Sequence, residues 1–146
     1  MSLLRAREAV MRQFKPSLRA YGITEQQWRV LRALSSVPRI EVAALARATF
    51  LLGPSLSRIL PDLETRGLIR READAADLRR RLLSITGAGT DLMAAVTPGF
   101  EATYREITER FGAPNLAALQ ALLQELEEAM TVMDALGQTS EDVPHP

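Results

Sequence analysis

The sequence predicts a mainly α-helical domain carrying one short β-hairpin, and three observations carry that expectation. Only 5% of the 146 residues are aromatic, while Ala and Leu, which lose little side-chain entropy in a helix, are abundant. Apolar residues recur at three- and four-residue spacing through most of the chain. Between Gly67 and Thr86 the period switches once toward two, the alternation of a half-buried strand. A composition of 47% hydrophobic and 25% charged residues is ordinary for a globular protein. The length suits a single domain, residues 1–146, with a substantial core.

The first helix is expected from Leu4 to about Tyr21, where Leu4, Met11, Phe14 and Leu18 share one seam that Arg7 also occupies. Pro16 lacks an N–H and crowds the carbonyl of Arg12, so a bend is expected there, and Gly22 ends the helix. Thr24 opens the second helix. Thr24 and Gln27 have the spacing of a capping box, and Ile23 and Trp28 that of a hydrophobic staple. Leu31 and Leu34 extend the buried stripe until Ser35, Ser36 and Pro38 break it. A short Ala-rich helix from about Glu41 to Ala48 then buries Leu45 and Val42.

The next helix starts near Gly53 or Pro54, since a proline in the first turn sacrifices no hydrogen bond. Leu56, Ile59, Leu60 and Leu63 recur at i, i+3, i+4 and i+7 and fix its buried face. Pro54, Arg58, Pro61 and Thr65 therefore face outward, flanked by Ser55, Ser57 and Asp62, until Gly67 stops the helix. Pro61 frees the Ser57 carbonyl, but its outward position allows a bend without emptying the core. Leu68–Glu72 and Arg79–Ile85 read as antiparallel strands joined by the polar tip Ala73 to Leu78. A long helix from about Ala88 to Phe111 follows, with a kink or short break expected at Pro98-Gly99. Gly112 and Pro114 separate it from a last helix of about Asn115 to Leu136, and residues 138–146 read as a flexible tail.

Leu116, Leu119, Leu123, Leu126, Met130 and Met133 alternate spacings of three and four without a miss. That keeps one apolar seam against a second helix, either within the chain or from another copy.

Formal net charge is zero, yet the charge is unevenly placed. Met1–Leu52 carries nine basic and three acidic side chains, Gly53–Phe100 seven and six, and Glu101–Pro146 two and nine. Six of the seven arginines in the middle third fall on the outward helix face and the hairpin, in positions free to meet a phosphate backbone. Exposed charges more than about 10 Å apart are screened at ~0.1 M salt, so the local patch decides. There is no cysteine, which removes disulfides, thiolate metal sites and thiol redox chemistry together. No apolar run approaches the ~20 residues of a membrane span, and no signal-peptide pattern opens the chain, so a cytoplasmic protein without membrane contact is expected. The only histidine, His145, falls in the tail. No phosphate-cradling Gly-rich loop, paired carboxylates or metal-ligand cluster is legible, so no enzyme, metal or cofactor is expected.

A helix that fits a major groove, followed by an Arg-tipped hairpin that fits a minor groove, is a winged helix-turn-helix with a two-stranded β-wing. It would span residues 24–87. Ser55, Ser57 and Arg58 are the candidates for bases or phosphates, with Pro61 on the same face. Arg79 suits a narrow minor groove, Asp77 would orient it, and Arg80 and Arg81 point to opposite faces so that only one reaches a phosphate. A solvated helix face and a surface salt bridge are the plainer readings of the same residues. A winged helix used for protein contact would instead expose apolar side chains on the outward face.

The order of these pieces resembles the MarR family of bacterial transcriptional regulators over roughly Leu3 to Met133. The motif L-x-x-L-E-x-x-G-L-I-x-R is present as Leu60–Arg71, D-x-R as Asp77 and Arg79, and L-T-x-x-G in the form Ile85-Thr86-Gly87-Ala88-Gly89. The blocks Leu4–Ala9 and Gly22–Val30 are similar to the HpaR-type subgroup, which regulates homoprotocatechuate (4-hydroxyphenylacetate) degradation operons. The resemblance implies a cytoplasmic homodimeric repressor on a pseudo-palindromic site in double-stranded DNA, released by a small aromatic acid or phenol. It implies dimerisation through residues 1–23 and 88–137, with Leu4 and Met11 joining the last-helix seam. An effector would sit between those helices and the reading lobe, where Arg7, Phe14, Tyr21 and Trp28 supply one cation and an aromatic set. Pro61 within the reading helix and Leu78 at the wing tip depart from the family pattern.

Overall fold

The computed structural model describes residues 1–141, with side chains through residue 135. The described residues form helices α1 (Ser2–Arg19), α2 (Glu25–Ser35), α3 (Val42–Thr49), α4 (Gly53–Thr65), α5 (Gly87–Phe111) and α6 (Ala113–Glu141). Strands β1 (Ile40–Glu41), β2 (Ile69–Ala73) and β3 (Arg81–Ile85) form one antiparallel sheet in the order β1-β3-β2. Two compact units are present, Met1–Thr103 and a second beginning at Tyr104.

Local chemistry explains most boundaries. Thr24 Oγ1 accepts the Gln27 N–H at 3.1 Å, and Gln27 Oε1 accepts the Thr24 N–H at 3.0 Å, so the capping box is closed in both directions. The staple residues Ile23 and Trp28 are both buried. Thr24→Ala is expected to cost about 1 kcal/mol, read as a melting temperature lower by about 2–4 °C. A melting curve unchanged within a degree would show that the box contributes nothing.

Helix α4 ends where the sequence stops it. The Gly67 N–H donates to the Glu64 carbonyl at 2.9 Å and the Leu68 N–H to the Leu63 carbonyl at 3.0 Å. This Schellman closure needs a left-handed residue, and Gly67 has φ +72°. The stripe Leu56, Ile59, Leu60 and Leu63 is buried, together with Leu31, Leu34, Leu45 and Leu83. Each such side chain contributes roughly 1.5–3 kcal/mol of burial, which fixes α4 on α2 and the sheet.

The structure adds to or narrows three expectations. The wing belongs to a three-stranded sheet, because β1 pairs Ile40 with Leu83 and Glu41 with Leu82. A two-residue strand is too short to show a period, so only the pairing reveals it. Pro98-Gly99 makes no break: α5 is continuous. A Cβ on Gly99 would lie 2.7 Å from Ser17 Oγ, so this glycine permits close approach of α5 to α1. Pro16 and Pro61 likewise sit inside uninterrupted helices. Finally, α6 runs to Glu141, so residues 138–141 of the expected tail are helical, while the remainder with His145 lies outside the described residues.

Candidate nucleic-acid interface

The outward face of α4 is as the periodicity requires. Ser57, Arg58, Pro61 and Thr65 are exposed and Ser55 is half-buried. Pro54 stands in the first turn, and Leu52 at the N-cap gives no side-chain cap, leaving that end of the helix open. Leu52 and the preceding Phe50, which has φ 54°, are both exposed at the turn that leads into α4.

The wing tip is a pair of aspartate-stabilised turns. Asp74 Oδ1 accepts the Ala76 N–H at 3.0 Å, and Asp77 Oδ1 accepts the Arg79 N–H at 3.0 Å. The Arg80 N–H donates to the Asp77 carbonyl, and the Asp74 N–H to the Arg80 carbonyl, each at 3.0 Å. Asp77 therefore fixes the backbone of Arg79 and leaves its guanidinium unpaired among the described residues.

Ion pairing divides the arginines of the middle third, which composition alone treats alike. Arg66 lies 3.9 Å from Asp62, Arg70 3.5 Å from Glu72, and Arg71 3.3 Å from Glu64. Arg80 pairs with Glu41 of β1 and lies 3.8 Å from Asp74. Arg80 thus links the wing to β1 through exposed ion pairs, while its exposed neighbour Arg81 has no carboxylate partner among the described residues. Only Arg58, Arg79 and Arg81 of the seven have no carboxylate partner among the described residues. Those three lie on α4 and on the wing.

The second candidate set is only partly assembled. Phe14 and Trp28 both stack on Phe100, with ring centroids 4.7 Å and 4.9 Å apart. Periodicity marks Phe100 only as an apolar position of its helix, and no local signal distinguishes a stacked ring from a packed one. Trp28 is buried, yet its Nε1–H has no hydrogen-bond partner among the described residues. Tyr21 stands apart from the stack and is 42% exposed.

Arg7 does not join Trp28. It donates to Glu8 at 2.7 Å and to Glu25 at 3.2 Å, and lines a groove of about 690 Å³ that includes neither Trp28 nor Phe14. The carboxylates of Glu8 and Glu25 hold the guanidinium, while the staple turns Trp28 into the core. Glu25 also pairs with Arg29, whose Nη1 donates to the Thr49 carbonyl at 3.0 Å. A chain of polar contacts thereby runs from α1 to the turn before α4.

The expected dimer residues are largely uncovered. Leu4, Leu119, Leu123, Leu126, Met130 and Met133 are exposed, and Met11 and Leu116 half-buried. No helix among the described residues is long and apolar enough to cross a membrane.

Known proteins share this arrangement. Residues 21–80, the span of α2 through the wing tip, match the MarR family model. The homoprotocatechuate degradative operon repressor of Escherichia coli is 37% identical over 125 residues, covering 86% of this chain and 84% of that protein. The chain belongs to the MarR family. Like its relatives, which form a non-enzymatic class, this MarR-family protein is a transcriptional regulator of winged-helix fold. The crystal structure of NadR in complex with 4-hydroxyphenylacetate superposes with a TM-score of 0.72 at 38% identity, covering 86% of this chain and 89% of NadR. The repressor CouR bound to a 23-mer DNA duplex superposes with a TM-score of 0.81 at 27% identity, covering 86% and 89%.

Proposed function

We propose that this MarR-family regulator is a cytoplasmic homodimeric repressor that reads a pseudo-palindromic site in double-stranded DNA, and that a hydroxylated aromatic acid releases it. One observation carries the DNA reading. Among the described residues, the arginines of the middle third without a carboxylate partner are Arg58 on the outward face of α4 and Arg79 and Arg81 on the wing. Arg58 suits guanine O6 and N7 in a major groove, with Ser55 and Ser57 beside it for bases or phosphates. Arg79 suits a narrow minor groove, and Arg81 a phosphate. CouR, which shares this fold and is bound to a DNA duplex, supports duplex DNA as the partner. Selection from random duplexes tests it: a palindrome with half-sites about one helical turn apart should be enriched. Enrichment of no symmetric site would overturn it.

The operon and effector assignment rests on the homoprotocatechuate operon repressor and the hydroxyphenylacetate-bound NadR, and on Trp28. An indole N–H buried without a partner costs roughly 1–3 kcal/mol, and an oxygen of a phenol or carboxylate would satisfy it. The adjoining Phe14 and Phe100 rings supply an apolar face for the ligand ring. Arg7 would have to exchange Glu8 and Glu25 for the ligand carboxylate. Trp28→Phe preserves the stack and removes the N–H. Loss of the orphaned N–H and loss of buried ring area act oppositely on stability, while 4-hydroxyphenylacetate binding should weaken about tenfold by calorimetry, in line with a charge-assisted hydrogen bond. Unchanged affinity would remove Trp28 from the ligand site.

A further inference from the structure

Arg58 and Asp62 stand at i and i+4 on α4, the spacing at which helix charges meet. Both line the groove that also holds Arg7 and Gln27. Yet Arg58 has no ion pair among the described residues, and Asp62 is engaged elsewhere. Gln27 Nε2 donates to Asp62 Oδ2 at 2.7 Å, and the Arg66 Nη1 lies 3.9 Å from the same oxygen. Both partners of Asp62 are themselves anchored. Gln27 is 9% exposed, and its Oε1 closes the capping box on Thr24. Arg66 donates to the Gly22 carbonyl at 2.9 Å and the Tyr21 carbonyl at 3.3 Å.

The amide is the group that this arrangement needs. A capping box is closed equally well by Glu or Gln at this position, but only Gln has an N–H left to give to a carboxylate. A carboxylate there would repel Asp62. With Gln27 gone, the nearest unpaired cation on the helix carrying Asp62 is Arg58, one turn away; Lys15 also faces the groove but belongs to α1.

We propose that Gln27 is a positioning residue for DNA recognition: with Arg66 it holds the Asp62 carboxylate away from Arg58, so that the reading guanidinium stays unpaired. This rests on the assignment of Arg58 to DNA contact made above. An i,i+4 pair is worth only a few tenths of a kcal/mol, so the expected effect is about twofold per half-site and about fourfold for a two-fold operator.

The test has two arms, each using the full-length dimer. In the first, without DNA, modification of Arg58 by phenylglyoxal is followed peptide by peptide. Gln27→Ala should slow it about twofold through a new Asp62 pair, and Gln27→Ala with Asp62→Asn should return it to the wild-type rate. Equal rates in wild type and Gln27→Ala overturn the proposal. In the second arm, operator affinity should fall about fourfold in Gln27→Ala and fall also in Gln27→Glu, which keeps the capping box. It should recover when Asp62→Asn is added to either, since the introduced amide can donate to the introduced carboxylate and carries no charge to compete for Arg58. A loss that Asp62→Asn does not rescue would show that Gln27 merely supports the fold, and would overturn the proposal. If the first arm behaves as expected while no variant alters DNA binding, the latch stands and the assignment of Arg58 to DNA falls.

Discussion

Replacing Leu123 and Leu126 together by Glu is expected to turn the dimer into monomers and to lower operator affinity by about 10²–10⁴-fold. The magnitude follows from losing the effective concentration with which one bound half-site presents the second. The two leucines are 39% and 47% exposed in the chain, in the middle of a seam whose flanking members Leu119 and Met130 are 42% and 45% exposed. Such a contiguous apolar stripe is what a second helix covers. In a two-fold interface each substitution appears twice, so the double variant places four carboxylates where apolar contact is needed. Leu and Glu have similar helix propensity, and both sites face solvent in the chain, so helix content by circular dichroism should be kept. Light scattering at micromolar concentration reads the mass. A variant that stays dimeric, or a monomer that binds the operator as the parent does, would show that this seam is not the dimer interface.

Arg58→Ala is expected to cost about 1–3 kcal/mol against the preferred site and to relax base preference at one position of each half-site. Arg79→Ala should instead weaken all sequences more evenly and flatten the salt dependence by about one unit for each phosphate charge it no longer neutralises. The two arginines are alike in charge and in lacking a carboxylate partner among the described residues, so any difference must come from the groove each enters. Arg80→Ala provides the contrast. Its guanidinium is taken by Glu41 and Asp74, so its loss should loosen the wing on β1 with little change in salt slope. Affinity and base preference measured for a panel of single-base operator variants, at several salt concentrations, distinguish these outcomes. Equal losses of Arg58→Ala on every sequence would move Arg58 from base reading to phosphate contact.

The outward face of α4 is legible in the sequence because helix faces are a local property. Four apolar residues at i, i+3, i+4 and i+7 leave one direction for Arg58, and Gly67 can end the helix with no reference to anything beyond Leu68. The capping box of α2 is legible for the same reason: its partners are three residues apart. The aromatic site is less so. Phe14, Trp28 and Phe100 come from three helices, and only packing brings the rings together. Arg7, expected beside Trp28, is held by carboxylates whose preference no spacing rule expresses.

Short-range chemistry is enough to set which segments are helical or extended, where most of them stop, and which side of each is buried, since caps, prolines and apolar periods act within one or two turns. Packing of the folded chain was needed to define the short strand β1, to carry α5 unbroken past Gly99, and to sort the free arginines from the paired ones. Arg80 meets Glu41 through the pairing of β3 with β1, and Gln27 meets Asp62 across 35 residues. An ion pair or a buried amide contact depends on distances of a few ångströms between elements. Those distances are set by how the helices and strands pack, and composition along the chain does not contain them.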